Sequence, residues 1–101
     1  MADDDPDRRC MDGMSLDELR AEIESIDQEL VELIARRTYV AETVADVKRE
    51  RDLPTTDERQ EERVMERAGE NAKRFGVDDN LVKATFRLLI ELNKVEQREQ
   101  R

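Results

Sequence analysis

The chain has no histidine and no tryptophan, and only one cysteine, two prolines and three glycines in 101 residues. Without histidine it lacks the side chain that most often shuttles protons or ligates transition metals near neutral pH. The lone Cys10 sits in a polar N-terminal stretch, which excludes an internal disulfide and fits a reducing compartment. No glycine-rich phosphate loop occurs. Nucleophilic and metal catalysis are therefore left without their usual groups. No apolar run approaches the ~18 residues of a membrane span, and no signal-peptide pattern opens the chain, so a cytoplasmic protein is expected. One Tyr and two Phe leave a thin core for a monomer of this length.

Charge is what the chain has in quantity. Charged residues make up 45% of it and the net charge is −9, which argues against nucleic-acid backbones and anionic membranes as partners. Four lysines stand against fourteen arginines, while Asp and Glu total 27. A high-salt cytoplasm would screen the repulsion among these carboxylates, which points to a halophilic source. An ordinary acidic surface is the alternative.

Residues 1–14, rich in Asp and Arg and free of apolar periodicity, read as a disordered acidic tail, and 15–101 as one helical domain. Ser15 and Glu18 form a capping box ahead of a first helix running from about Leu16 to about Arg51, closed by Pro54. Such a helix is ~54 Å long. Thr55, Thr56 and Asp57 offer N-caps for a second helix to Phe75, with Gly76 suited to its C′ position. Asp78 or Asp79 caps a third, from about Asn80 to about Gln97, whose apolar face is Leu81, Val82, Phe86, Leu88, Leu89, Leu92 and Val95. No strand pattern and no internal repeat appear. The fold class expected is all-α.

Along the first helix Leu16, Leu19, Ile23, Ile26, Leu30 and Leu33 keep an a/d heptad rhythm that Val40, Val44 and Val47 continue. The a position between them is Arg37, a guanidinium that stays charged and is costly to bury alone, so it needs an anion within reach. The first helix is roughly twice the length of either partner, so one chain cannot cover its seam. A second copy packed antiparallel would, giving an intertwined homodimer with three helices per chain. From the helix pattern alone, a coiled-coil or adaptor dimer without chemistry is the simpler reading.

The polar residues on these helices suggest more. Lys48 lies eleven residues beyond Arg37, which brings it within ~20° of the same direction and ~16 Å along the axis, near enough for two long side chains to converge on a small anion. Arg20 lies ~25 Å from Arg37 and ~100° around, so it can approach only the Arg37 of an antiparallel partner. Asn93 and Gln97 share a face of the third helix, and Asp57 and Glu61 a face of the second. Taken singly, Arg20, Lys48, Asp57 and Glu61 read as solvated surface charges, and Asn93 and Gln97 as a fraying helix end. Their combination with Arg37 favours binding of a small polyanion, or a reaction that needs only conformational restraint and electrostatic help.

The chain resembles the all-helical (AroQ-class) chorismate mutases from Leu16 to Gln97 without a gap. The matching stretches are Leu-Arg-Ala-Glu-Ile-Glu-Ser-Ile-Asp (19–27), Leu-Ile-Ala-Arg-Arg (33–37), Val-Ala-Asp-Val-Lys (44–48), Leu-Pro-Thr-Thr-Asp (53–57) and Leu-Leu-Ile-Glu-Leu-Asn-Lys-Val-Glu-Gln (88–97). No single stretch is specific; their order and spacing are. With the acidic composition, the resemblance points to a halophilic archaeon. It implies an intertwined dimer with two shared sites that isomerise chorismate to prephenate without a cofactor or metal. By family position Arg37 would bind one carboxylate with Asn93 nearby, and Arg20 of the partner subunit would help hold the enolpyruvyl carboxylate. Lys48 and Gln97 would donate to the ether oxygen, and Glu61 would accept from the ring hydroxyl, assisted by the backbone around Asp57. One departure stands out: the family's Asp-x-x-Arg at the start of the second helix here reaches Gln60, and Arg59 comes one residue early. Isochorismate-pyruvate lyase on the same fold and a non-catalytic helical dimer are the rival readings.

Overall fold

The computed structural model describes residues 12–54 and 57–99, the last four of these by their backbone alone. Most of the acidic tail, with Cys10, and the two cap candidates Thr55 and Thr56 lie outside the described residues. Three helices follow in order, α1 (Leu16–Glu50), α2 (Glu58–Arg74) and α3 (Asp79–Glu99), and there is no strand among the described residues. At 35 residues, α1 sets the long dimension of a molecule measuring 56 × 25 × 18 Å.

Each helix begins where a short polar side chain relieves its first amides. Ser15 accepts from the Glu18 amide at 3.1 Å, and Glu18 returns the bond to the Ser15 amide at 3.1 Å. That return bond holds the Glu18 carboxyl below its usual pKa. Asp57 accepts from the amides of Arg59 and Gln60 at 3.1 and 3.2 Å, and Asp78 from that of Leu81 at 2.9 Å. Of the alternative caps read from the sequence, Asp57 and Asp78 carry the function.

Two helix ends close by the same double bond. At α1 the Leu53 amide reaches the Lys48 carbonyl (2.7 Å) and Asp52 reaches Arg49 (3.2 Å). At α2 Val77 reaches Ala72 (2.9 Å) and Gly76 reaches Lys73 (3.3 Å). Both are Schellman caps, which need a left-handed residue at C′. Gly76 supplies it at φ 72, while Asp52 adopts φ 58 despite its Cβ.

Helix α3 is the central element: it packs against both α1 and α2, which make no close backbone approach to each other. The contacts are built from small residues. Ala45 of α1 and Ala68, Gly69 and Ala72 of α2 are buried, together with Asn93 of α3, and no large side chain is fully enclosed among the described residues. Gly69 lets the stem of Lys83 cross its backbone, since a Cβ there would stand 2.5 Å from Lys83 Cε. Ile34, Ala41, Val64, Met65, Val82, Phe86, Leu89 and Ile90 are half-buried around these contacts.

Part of the seam expected on α1 faces away from α3, and part lies nearer the N-terminus. Ile34, Ala41 and Ala45 turn toward α3, whereas Leu33, Val40 and Val44 stand exposed on a neighbouring face. Ile23 and Leu30 share the directions of Ile34 and Ala41 respectively, within ~20°, but are exposed too, as is Ile26. Over its C-terminal half α1 thus carries two adjacent apolar stripes, and the heptad pattern traced the one that a single chain leaves open. The same division corrects the face read on α3. Val82, Phe86 and Leu89 pack inward as expected, but Leu81 and Leu88 are 69% and 70% exposed, Leu92 and Val95 are exposed too, and Ile90 takes an inward place instead.

The paired caps give a test. Gly76→Ala forces a Cβ into the left-handed region and should destabilise the fold by about 1 kcal/mol, read as a shifted urea midpoint. An unchanged midpoint would show that the cap of α2 tolerates a side chain as the cap of α1 does.

Candidate active site

Arg37 lies where the two stripes of α1 meet, and its side chain turns to α3. Its Nη1 donates to Asn93 Oδ1 at 2.6 Å, and its guanidinium carbon lies 5.8 Å from the centre of the Phe86 ring. Asn93, only 7% exposed, is the one buried polar residue among those described. Its Nδ2 donates to Thr38 Oγ1 at 2.9 Å, and Thr38 donates in turn to the Ile34 carbonyl at 2.8 Å. The helix end that could have frayed into water is, at Asn93, the polar centre of the α1–α3 contact.

The electrostatics follow from this placement. Partial burial of Arg37 pushes its pKa down, yet a guanidinium remains protonated at any physiological pH. No carboxylate pairs with it among the described residues. Its neutral partner Asn93 satisfies one of its five N–H donors and leaves its charge uncompensated. Together the two side chains form a half-buried site rich in donors and short of negative charge, on a chain whose net charge is −9. Such a site suits an anion.

The other expected residues are placed as follows. Lys48 is half-buried at the lip of a shallow apolar groove on α1 lined by Tyr39, Val40, Thr43, Val44 and Val47. Its ammonium makes no hydrogen bond or ion pair among the described residues, so the single chain does not join it to Arg37. Arg20 is exposed near the start of α1, ~25 Å along the axis from Arg37. Asp57 is committed to capping α2. The backbone of α3 runs past Gln97, whose side chain lies outside the described residues. Gln60, where the family has arginine, accepts from Arg63 Nη1 at 3.2 Å, and Arg59 is exposed.

Glu61 has a partner that sequence reasoning missed. Lys94 Nζ stands 2.7 Å from Glu61 Oε1 and 3.7 Å from Glu91 Oε1. Consecutive residues of α3 thus serve different neighbours, Asn93 facing α1 and Lys94 facing α2. Nothing in the local sequence pairs residues 61 and 94; only the packing of α2 on α3 does. Thr38 was missed too, because a helical threonine beside charged residues carries no signal of its own.

Comparison with known proteins shows the family. The chorismate mutase type II family model matches residues 19–98. A chorismate mutase of Methanocaldococcus jannaschii is 34% identical over 84 residues, covering 83% of this chain and 85% of that protein. The chain belongs to the chorismate mutase type II family. Its activity is that of a chorismate mutase, an isomerase.

The Glu61 bond raises the Lys94 pKa above the ordinary lysine value, with partial burial working against it. A raised lysine contributes stability that is complete below the unfolded-state pKa and is lost as pH climbs through the folded one. Lys94→Met should therefore cost under about 1 kcal/mol at neutral pH, since the pair is partly exposed. Urea unfolding of variant and parent should converge at pH values above the raised lysine value; a constant gap would mean that the lysine acts through packing.

Proposed function

We propose that the chain converts chorismate to prephenate by a pericyclic rearrangement, at two shared sites of an intertwined antiparallel homodimer. The observation that carries this reading is the half-buried Arg37, held by a neutral amide and left with unmatched positive charge. Chorismate is a dianion whose enolpyruvyl arm must fold over its ring before reaction. Arg37, with Asn93 beside it, holds one carboxylate, and Arg20 of the partner subunit holds the enolpyruvyl carboxylate. Lys48 and Gln97 donate to the ether oxygen, where negative charge grows as its bond to carbon breaks. Glu61 accepts from the ring hydroxyl, with the capped backbone at Asp57 fixing the start of α2 around it.

No covalent step is required. Clamping both carboxylates selects the folded conformer, and donors at the ether oxygen favour the transition state over the substrate. An acceleration of ~10⁶-fold requires ~8 kcal/mol, within reach of such restraint and electrostatics combined. No cofactor, metal, nucleic acid or membrane enters the scheme. No described helix is long and apolar enough to cross a membrane.

The dimer follows from the open stripe of α1. Full burial of a Leu, Ile or Val contributes ~1.5–3 kcal/mol, and these side chains, about half exposed in the single chain, retain part of that for a second copy to supply. In this reading residues 15–101 are the catalytic domain, residues 1–14 a tail outside it, and the protein is cytoplasmic. The scarcity of lysine and excess of carboxylates favour a halophilic, archaeal source.

The test is chorismate consumption by purified protein across a salt series, with the products identified. Prephenate supports the mutase; pyruvate and salicylate from isochorismate would assign the lyase reaction instead. Arg20→Ala and Arg37→Ala homodimers should each be nearly inactive. Coexpressed, they should regain activity through heterodimers holding one intact site, and no recovery would refute the cross-subunit role of Arg20.

A further inference from the structure

We infer that Thr38 is a positioning residue of the active site, fixing which end of the Asn93 amide faces Arg37. The inference rests on the reading of Arg37 and Asn93 as a carboxylate clamp. The basis is the direction of three consecutive hydrogen bonds. Asn93 is buried, and an amide has two ends of similar shape and opposite polarity, one accepting and one donating. A guanidinium only donates, so Arg37 requires the oxygen end. The nitrogen end then faces Thr38 at 2.9 Å and needs an acceptor there.

A threonine hydroxyl could accept or donate. Here its proton is directed to the Ile34 carbonyl one turn back at 2.8 Å, a bond that helical threonines commonly make. The hydroxyl oxygen therefore presents lone pairs to Asn93. Polarity runs one way along the chain: Arg37 donates to Asn93, Asn93 to Thr38, and Thr38 to the backbone of α1. Three consequences follow for the clamp. The amide is locked against rotation, one guanidinium N–H is fixed in direction, and the second N–H of Asn93 has no partner among the described residues and is free for substrate. Thr38 touches no substrate in this scheme; it acts through Asn93.

Thr38→Val keeps the shape and removes the acceptor, leaving an amide N–H of Asn93 against a methyl group. The cost of that unpaired donor falls on the fold; what reaches the reaction is the loss of an oriented hydrogen bond to a charged group, a roughly 10- to 100-fold effect. We expect kcat/KM for chorismate to fall by that order, mainly through KM, because the clamp holds substrate and transition state alike. Thr38→Ser should restore it. In an Asn93→Ala background, Thr38→Val should have no further effect, since there is no amide left to orient.

Several results would overturn the assignment. A loss in kcat at unchanged KM would mark a general structural defect, and failure of serine to rescue would mark a packing role. An equal loss in the Asn93→Ala background would show that Thr38 acts by another route. If Asn93→Ala itself leaves kcat/KM unchanged in an enzyme that consumes chorismate, the clamp reading falls and the Thr38 assignment falls with it. Should Thr38→Val not fold, Thr38→Ala provides the same comparison.

Discussion

A guanidinium cannot give up its proton, so once Arg37 sits half-buried between helices, everything near it must accept that charge. The 2.6 Å bond to Asn93 is how this chain does so. A carboxylate partner would have neutralised the arginine and closed the site to anions. An apolar partner would have left a buried donor unsatisfied. The neutral amide avoids both, and it joins residues 56 apart in sequence, fixing α3 against α1 beside a charge left uncompensated.

The packing of the rest is consistent with that bond. The buried residues Ala45, Ala68, Gly69 and Ala72 let helices approach closely, which brings side chains from different helices within hydrogen-bonding reach. Helix α3 takes the central place and distributes neighbouring residues to opposite sides, Asn93 to α1 and Lys94 to α2. Meanwhile the larger apolar residues of α1 remain outside the single chain. Its apolar surface is arranged for burial that one copy does not provide, and the proposed dimer would supply it.

Much of this is legible in the sequence because the signals are local. The capping box at Ser15 and Glu18, the caps at Asp57 and Asp78, and Gly76 at a left-handed position each depend on residues within a turn of one another. Arg37 is legible because a charge in an apolar rhythm is an anomaly without any structure. What stayed hidden depends on which faces meet. The heptad rhythm could not say that Ala41 and Ala45, rather than Val40 and Val44, would contact α3, because two apolar stripes on one helix compete on equal terms. Thr38 and Lys94 were hidden for the same reason: their partners lie on other helices. The cap at Asp52 was missed as well, since an aspartate is a less usual choice for φ 58 than glycine.

The small size of the enclosed residues inverts the usual pattern of vulnerability. Proteins with large core side chains are damaged most by truncation, which opens cavities. Here the residues buried among those described have little volume to lose. Added bulk is the hazard, because a larger side chain at Ala45, Ala68 or Ala72 would push helices apart. Bulk at Ala45 would separate Arg37 from Asn93, and bulk at Ala68 or Ala72 would draw Glu61 away from Lys94, because each alanine spaces a different helix from α3. For this chain, the measure of a harmful change in the interior is the distance it puts between helices.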